Sequence, residues 1–553
     1  FICHKAFNIS QEETMRKLTD TILTVSLFVA LAGLARADVI ADWNERAVVV
    51  RSPARVIAMV HLAMFEAVNS IEPRYTPYRA RLSAEPGASR DAAAASAAHT
   101  VLVKVYPDQT AELDKALQAS LATVPDGTSK TQGVQLGQQA GAAIVAERRD
   151  DGSDAPNSYR PFTVAGKYVP TVFPINSSAG AVRPFSLKSG SQLRPPAPYS
   201  LKSAQWAKDF NEVKKMGAKT GSARTAEQTD IARFWALTGP ATYNPVVRQL
   251  SAAKGLDVLD NARLFALFSM ATADGGIAIF DAKYAYNFWR PVTAIRNADL
   301  DGNNATERDP TWEPIIPTPM HPEYPCAHCI SQGSAASVLE AFFGDTVPTF
   351  TMTSTTAPGV TRKFSKLSDY VTEVVNARIY DGVHYRTSGE VGAAMGKKNG
   401  QYAVQTQLAD KPVHGNQALA DRIDCEKKTF KRHGAEEWRT VGRDEAWGCD
   451  FSAVQSQSRF GYGPDFPSPA SDYDRLRTRG LEVKTFSERT RRYAESCASV
   501  DKKLYFFGTS RGTGQMYLYV EQPHFNDPRK TMLHCSSENR QRNRALSRFC
   551  RRV

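Results

Sequence analysis

No cysteine lies between residues 38 and 325, and only one precedes them, at position 3. Disulfide bonds within that stretch are therefore excluded as a source of its stability. Strand-like alternation of apolar and polar residues is also scarce before residue 480. Hydrophobic residues nevertheless make up 42% of the 553 residues, which is enough for a large core. These absences favour a large helical protein whose main part folds without internal cross-links.

Excess charge of either sign is also scarce in the main part of the chain. The net charge is +12, and residues 421–553 supply 8 of it, with 26 Lys and Arg against 18 Asp and Glu. Basic and aromatic residues alternate in this tail, but no recognised RNA-binding signature is present. We therefore expect no nucleic-acid partner and assign no function to the tail.

The beginning of the chain predicts export. A methionine at position 15 is followed by two basic residues, an apolar stretch over 22–34 and a small-x-small sequence ending at Ala37. This is the pattern of a secretory signal peptide, so residues 15–37 are assigned to it and residues 1–14 are interpreted as non-native upstream sequence. The mature protein is expected to be secreted or periplasmic, with no integral membrane span; a membrane anchor is the alternative.

Apolar residues recur at helical spacing from residue 38 to about 410. Residues 38–224 are expected to form the N-terminal helical part and residues 225–410 the part that carries the site. Within the first of these parts, residues 153–203 are rich in Pro, Ser and Gly, and are interpreted as a functional loop wrapped around the body. The predicted fold class is all-α, a helical bundle with site-bearing loops.

The composition changes near residues 410–424, which predicts a boundary. Residues 425–553 are basic and contain five cysteines, whose disulfide connectivity cannot be deduced from sequence. Residues 504–507 and 515–520 flank a glycine-bearing segment and predict a hairpin. The tail is thus expected to be a small, β-containing segment.

Three short segments carry residues suited to oxyanion chemistry. In the first, Lys283 and Arg290 are seven residues apart, and we predict that they share one helix face, with Pro291 ending the helix. Two cations on one face can hold an anion. Basic residues at this spacing are also common on solvated helix faces, so the pair alone leaves both interpretations open.

The second segment is Pro325-Cys326-Ala327-His328, which follows a proline-rich loop and precedes the helix-like residues 333–343. Backbone N–H groups at such a helix N-terminus bind anions, and His328 beside the anion would be a general acid or base; a structural histidine is the alternative. The spacing of Cys326 and Cys329 also fits a redox pair or a metal site. Neither a βαβ context nor two further metal ligands accompany it.

In the third segment, Arg378 and His384 are six residues apart, with Gly382 between them. This spacing does not share a helix face, but a break at the glycine would let both side chains converge. Arginine offers a planar fork for an oxyanion. Histidine can ligate a metal oxyanion or attack phosphorus.

In order, the three segments resemble the signature of the superfamily that unites vanadium-dependent haloperoxidases with type 2 phosphatidic acid phosphatases and bacterial acid phosphatases. That signature is K-x6-RP, then PSGH, then SR-x5-H-x3-D. The wider sequence over 225–410 resembles the bacterial secreted haloperoxidase-like branch. The resemblance implies a helical bundle of the vanadium haloperoxidase/acid phosphatase type. The matching residues are Lys283, Arg290, Pro291, Pro325, His328, Arg378 and His384.

The resemblance also implies roles. His384 would be the vanadium ligand of a haloperoxidase or the phosphoryl nucleophile of a phosphatase, and His328 would be the acid–base group. The implied cofactor is vanadate, with hydrogen peroxide and halide as substrates; a phosphatase would take a phosphate ester and no cofactor. A non-catalytic oxyanion-binding relative is the third possibility. The residues implied to bind the oxyanion are Lys283, Arg290, Ala327 and Arg378.

Three residues depart from the signature. Cys326 stands where the family has Ser, Ala327 where it has Gly, and Ser388 where it has Asp. A thiol beside peroxide is open to oxidation unless it is paired as a disulfide with Cys329 or another cysteine. Cys326 is kept as an additional site residue, and so is Gly382.

The change at Ser388 removes the carboxylate expected to orient His384 or a neighbouring arginine. Asp381 and Glu390 are the two carboxylates considered as its replacement. The spacing alone does not choose between them.

Overall fold

A computed structural model describes residues 38–80, 82–170 and 172–410, and beyond them the backbone of five short strands. The chain divides into two compact units, the first ending at Ala409 and the second beginning at Asp410. The predicted signal peptide and the side chains of the tail cysteines lie outside the described residues.

The first unit is helical, which confirms the predicted fold class. Its described residues form thirteen α-helices: α1 Val39–Val49, α2 Ala54–Ile71, α3 Arg90–Val105, α4 Thr110–Ala122, α5 Thr128–Glu147, α6 Ala204–Gly217, α7 Ala226–Phe234, α8 Asn244–Lys254, α9 Val258–Tyr286, α10 Pro291–Arg296, α11 Ala327–Phe343, α12 Leu367–Tyr380 and α13 Arg386–Thr406.

Two helices, α2 and α9, are apolar around most of their circumference. By length and composition alone, both could span a membrane. The sequence analysis expected no such segment after the signal peptide. In the fold, 78% of α2 and 83% of the most apolar window of α9 are buried inside the protein. A helix that is hydrophobic on every side is typical of the core of a large domain, and these two helices form that core.

Small residues at a spacing of four bring two pairs of helices close together. A Cβ atom on Gly137 of α5 would lie 2.3 Å from the carbonyl oxygen of Ala93 in α3. In the same way, a Cβ atom on Gly396 of α13 would lie 2.5 Å from the carbonyl oxygen of Ile330 in α11. The second contact matters for the site, because α11 begins at the Cys326-Ala327-His328 segment.

The body also contains one hairpin that the sequence analysis did not predict. Strands β1 (Thr346–Thr353) and β2 (Thr361–Lys366) are antiparallel, with an irregularity between Thr346 and Phe350. Pro348 lies within that irregularity and interrupts the alternation of apolar and polar residues, which hides the strand in the sequence.

Residues 153–203 form the wrapped loop that composition predicted, with short 3₁₀ turns at Ala179–Ala181 and Gly190–Leu193. The loop makes backbone contacts with the segments that carry the site. The N–H of Tyr168 donates to the carbonyl of Asn287 (2.9 Å), and the N–H of Ile175 donates to that of Met320 (2.9 Å). The loop thereby encloses the region between α9 and α11.

The described backbone of the second unit consists of strands. The strands are β3 Thr429–Lys431, β4 Trp438–Thr440, β5 Leu504–Thr509, β6 Met516–Glu521 and β7 Met532–Ser537. Strand β5 pairs with β6 in antiparallel register, which confirms the predicted hairpin, and β7 pairs with the other edge of β6.

Candidate oxyanion site

Lys283 and Arg290 do not share a helix. Helix α9 ends at Tyr286, and Asn287 takes the left-handed conformation (φ 54°) that closes it. Arg290 is the N-cap of α10, whose first residue is Pro291. The prediction that Pro291 ends a common helix is therefore wrong. Proline has no N–H and a fixed φ, and both properties suit the first position of a helix better than its end.

The two cations converge instead on one extended segment of the proline-rich loop. The Nζ atom of Lys283 donates to the carbonyls of Pro322 (2.9 Å) and Glu323 (2.7 Å). The Nε atom of Arg290 donates to the carbonyl of His321 (2.9 Å), and its Nη2 lies 3.0 Å from the Nδ1 of the same histidine. Both side chains are buried. The two cations are therefore brought together by residues 321–323 and not by a shared helix face.

His384 is oriented by Glu323. Its Nδ1 lies 2.7 Å from Glu323 Oε1, which also accepts the backbone N–H of Tyr385 (3.1 Å). Ser388 Oγ is 3.5 Å from the same Nδ1. Because the carboxylate accepts the Nδ1 hydrogen, the lone pair is left on Nε2, and there Arg290 Nη1 approaches to 3.2 Å.

Arg378 and His384 converge at the predicted break. Helix α12 ends at Tyr380, and the N–H of His384 then donates to the carbonyl of Arg378 (3.1 Å). Gly382 has φ +82°, and a Cβ atom there would lie 2.6 Å from the carbonyl oxygen of Gly217. Asp381 forms an ion pair of 2.7 Å with Arg378. The turn and the ion pair fix the arginine beside the histidine.

The Cys326-Ala327-His328 segment lies at a helix N-terminus, as predicted. Helix α11 begins at Ala327, six residues earlier than the sequence pattern indicated, and Cys326 is its N-cap. The Nε2 atom of His328 lies 2.9 Å from the carbonyl of Leu237, to which it donates. Ala327 and His328 are partly exposed, whereas the cations and His384 are buried. Among these residues, the first turn of α11 is the part nearest to solvent.

Burial dominates the electrostatics of the site. It lowers the pKa of Lys283 well below its usual value, with Arg290 acting in the same direction, and it lowers the pKa of Arg290 to about 10. Burial also lowers the pKa of both His328 and His384, so both rings are neutral at neutral pH. In each case burial is the largest cause of the lowered pKa, and the neighbouring cations act in the same direction. An anion bound among them would stabilise the charged forms.

The carboxylates are shifted in the opposite direction. Burial raises the pKa of Glu323 to about 7 and that of Asp381 to about 6, although the neighbouring cations oppose both shifts. Each carboxylate faces a group that favours its ionised form. Asp381 faces Arg378, and Glu323 faces the ring N–H of His384. Three cations against two carboxylates leave the described cluster with a positive balance that suits an oxyanion.

The residues present fit a tetrahedral or trigonal-bipyramidal oxyanion such as phosphate or vanadate. The Nε–H of Arg378 is buried and has no acceptor among the described residues, which is costly unless a ligand supplies one. Lys283 uses two of its three N–H groups on carbonyls. His384 presents an Nε2 lone pair. The N–H groups, with those of the backbone in the first turn of α11, would donate to the oxygens of such an anion, and the Nε2 lone pair of His384 would bind its central atom.

Sequence reasoning missed two members of the site, His321 and Glu323. Of the two roles expected of the carboxylate absent at Ser388, Asp381 fills one, because it pairs with the neighbouring Arg378, whereas Glu390 is exposed. The other role, orienting His384, falls to Glu323 in a different segment. One feature of the sequence could have indicated Glu323. It is an acidic residue among prolines and aromatic residues directly before the Cys326 segment, where a solvent-exposed carboxylate is not expected.

Known proteins resemble this chain in both sequence and fold. Residues 263–410 match the family model of the VCPO second helical-bundle domain. A curated relative, the vanadium chloroperoxidase of Curvularia inaequalis, is 24% identical over 384 residues. The match takes in 54% of this chain and 62% of that protein, so the chain spans less than two thirds of its length.

Two solved structures share the fold. The structure of the first bacterial vanadium-dependent iodoperoxidase superimposes with a TM-score of 0.58 at 24% identity, over 68% of this chain and 96% of that one. The holo-type bacterial vanadium-dependent chloroperoxidase gives 0.54 at 16% identity, over 64% and 90%. The resemblance to vanadium haloperoxidases is confirmed, and the first unit has their helical fold.

Proposed function

We propose that the protein is a vanadate-dependent haloperoxidase-like oxidoreductase that oxidises halide with hydrogen peroxide. The observation that carries the proposal is the pairing of His384 Nδ1 with Glu323 Oε1 at 2.7 Å beside three buried cations. This pairing leaves a neutral ring whose Nε2 lies beside Arg290, where it could bind the central atom of an oxyanion.

Each residue has a defined task in this proposal. Bound vanadate would supply a Lewis-acidic centre that polarises hydrogen peroxide for attack by halide. Lys283, Arg290 and Arg378 bind the oxyanion and neutralise its charge. Glu323 keeps the proton of His384 on Nδ1. His328 receives or returns a proton at Nδ1, because its Nε2 is engaged by Leu237.

A phosphatase with a phosphohistidine at His384 is the second candidate. The thiol of Cys326 favours it, because hydrolysis of a phosphate ester exposes this side chain to no peroxide. The same cations would bind the phosphoryl group, and His328 would protonate the leaving alcohol. An oxyanion-binding protein without turnover is the third candidate, and the replacement of Ser by Cys326 is what supports it.

One experiment separates the three functions. The full-length protein is dialysed with and without orthovanadate, then assayed for halogenation of a phenolic dye with bromide or iodide and hydrogen peroxide, and for hydrolysis of an aryl phosphate. Vanadate-dependent halogenation is the expected result. Phosphate release that vanadate inhibits would replace the proposal with the phosphatase, and oxyanion binding without either activity would favour the binding protein.

We also propose that the protein is exported, on the pattern of residues 15–37. Expression with residues 15–553 in a bacterium that secretes proteins, followed by N-terminal sequencing, tests this. A mature chain beginning at Asp38 in the periplasm or medium is expected. An uncleaved cytoplasmic chain would contradict it.

A further inference from the structure

Cys326 and Cys329 lie side by side in the oxyanion site as free thiols. Cys326 is the N-cap of α11 and Cys329 is in the first turn, so one turn of helix joins them. The backbone N–H of Cys329 donates to Cys326 Sγ at 3.2 Å. This hydrogen bond holds the Cys326 sulfur at the start of the helix.

The surroundings of Cys326 stabilise a thiolate. Burial raises its pKa, but the hydrogen bonds from Cys329 and the charges of Arg378 and Lys283 outweigh burial, and its pKa lies below the usual value. The pKa of Cys329 is raised, by burial first and then by Cys326. One sulfur is therefore poised as a nucleophile while the other keeps its proton.

A second feature of the site is independent of the cysteines. Arg378 is buried, and its Nε–H has no acceptor among the described residues. An unpaired cationic donor beside a thiolate can bind a small polar oxidant and stabilise the negative charge that leaves it. Both cysteines are buried, and the residues that follow Cys326, Ala327 and His328, are partly exposed.

We propose that Cys326 and Cys329 form a peroxide-reducing dithiol within the oxyanion site, with Cys326 as the attacking sulfur and Cys329 as the resolving one. This activity needs no vanadate and no halide. It goes beyond the proposed halide oxidation and does not depend on it.

The chemistry balances in three steps. The Cys326 thiolate attacks one peroxide oxygen; an S–O bond forms, the O–O bond breaks, and the leaving hydroxide takes a proton to become water. Cys329 sulfur then attacks the Cys326 sulfenic acid; an S–S bond forms, the S–O bond breaks, and the thiol proton leaves with hydroxide as a second water. A dithiol reductant returns two electrons and two protons to the pair and becomes a disulfide itself.

The test uses the full-length protein without added vanadate. After reduction and removal of the reductant, one equivalent of hydrogen peroxide is added, free thiols are alkylated at timed intervals, and the protein is digested with trypsin. Residues 309–362 form one tryptic peptide that contains Cys326 and Cys329 and no other cysteine. We expect the mass of this peptide to fall by two hydrogen atoms. The loss should be roughly ten times faster in the folded protein than in urea, because only the thiolate attacks peroxide and a free thiol is only a few per cent ionised at neutral pH.

Two near-isosteric variants separate the two roles, and circular dichroism confirms that each is folded. In Cys329→Ser, the oxidised Cys326 cannot be resolved, and dimedone should trap it as a sulfenic acid adduct. In Cys326→Ser, Cys329 should stay reduced. Peroxide consumption driven by excess dithiothreitol should be lost in Cys326→Ser and should persist in Cys329→Ser, where dithiothreitol reduces the sulfenic acid of Cys326 directly.

Equal oxidation rates in folded and unfolded protein would overturn the proposal. So would oxidation of Cys329 at an unchanged rate in Cys326→Ser. Because no vanadate is present, failure of this test leaves the haloperoxidase proposal untouched, and absence of halogenation leaves the dithiol proposal untouched.

Discussion

Glu323 determines which nitrogen of His384 is available. A histidine ring can carry its proton on either nitrogen, and the partner of one nitrogen selects the tautomer. With Glu323 Oε1 at 2.7 Å from Nδ1, the lone pair lies on Nε2, toward Arg290. The family signature has Asp at the position of Ser388. In this protein the buried Glu323, 65 positions earlier in the chain, supplies the carboxylate that orients His384.

Glu323→Gln removes this acceptor charge and keeps the side-chain shape. We expect oxyanion affinity and the associated activity to fall about 10- to 100-fold, the effect typical of losing an outer partner of a ligating histidine. Vanadate titration and the halogenation and phosphatase assays measure it. Glu390→Gln, at an exposed position, is the matched control and should behave as wild type. Equal losses in the two variants would show that Glu323 has no special role.

His61 in α2 gives a separate test of burial at a single residue. It has no exposed surface, its Nε2 accepts from Asn44 Nδ2 (2.9 Å), and burial lowers its pKa to about 3. The unfolded chain therefore binds a proton at this site between pH 6.5 and about 3 that the folded protein does not. Stability is present above pH 6.5 and is lost as the pH falls through this window.

We expect His61→Gln to make the pH dependence of unfolding shallower between pH 6 and pH 4. The expected difference is up to about 1.4 kcal/mol per pH unit, since each unit of pKa shift corresponds to that free energy. Urea unfolding followed by tryptophan fluorescence at several pH values measures it. Parallel slopes for wild type and variant would contradict the assignment of a neutral buried ring.

Among the elements, the turn between α12 and α13 has the most demanding geometry near the site. It has to reverse the chain while it keeps Arg378 and His384 side by side. Gly382 satisfies both demands, because it adopts φ +82° and lets the carbonyl of Gly217 in α6 approach its Cα closely.

Gly382→Ala should destabilise the protein by about 2 to 4 kcal/mol, from the left-handed backbone and the clash with Gly217 together. Gly359→Ala is the matched control, because Gly359 has φ +86° but no neighbouring atom within 4 Å of the position that a Cβ atom would take. The control should lose only the backbone part, about 1 kcal/mol. Thermal unfolding compares the two, and similar losses would mean that the close approach is unimportant.

The whole molecule assembles the site from segments far apart in sequence. Four segments each contribute one or two residues: the end of α9, the loop before α11, the first turn of α11 and the α12–α13 turn. All of them, and all of their hydrogen-bond partners described above, lie before residue 410 in the first unit. The described contacts of the site therefore lie within the first unit.

Deletion of residues 411–553 should leave the thermal midpoint of the helical unit unchanged. The oxyanion affinity should stay within about twofold of that of the full chain, because the deletion removes none of the described contacts of the site. Differential scanning calorimetry and vanadate titration measure these quantities. A large loss of affinity would assign the tail a part in the site. His384→Ala in the shortened chain is the control and should abolish activity.

Local features of the sequence were sufficient for much of this description. The spacing of three and four predicts the helices because each one buries a continuous apolar face, and the glycine between Arg378 and His384 predicts a break because only glycine takes that backbone conformation freely. The order of Lys, Arg and His residues was enough to identify the resemblance to vanadium haloperoxidases and, with it, the helical fold. The hairpin of β5 and β6 was also predictable from its two apolar runs.

Tertiary structure decided the rest. The pairing of Glu323 with His384 joins residues 61 apart. The anchoring of Lys283 on Glu323 spans 40 residues, and that of Arg290 on His321 spans 31. Such contacts form because several buried polar groups must satisfy one another once the helices pack, and no local periodicity encodes which partner each will meet. The sequence by itself therefore determined the helices and the set of charged residues. Only the packed fold decided which carboxylate orients the histidine and which sulfur faces the cations.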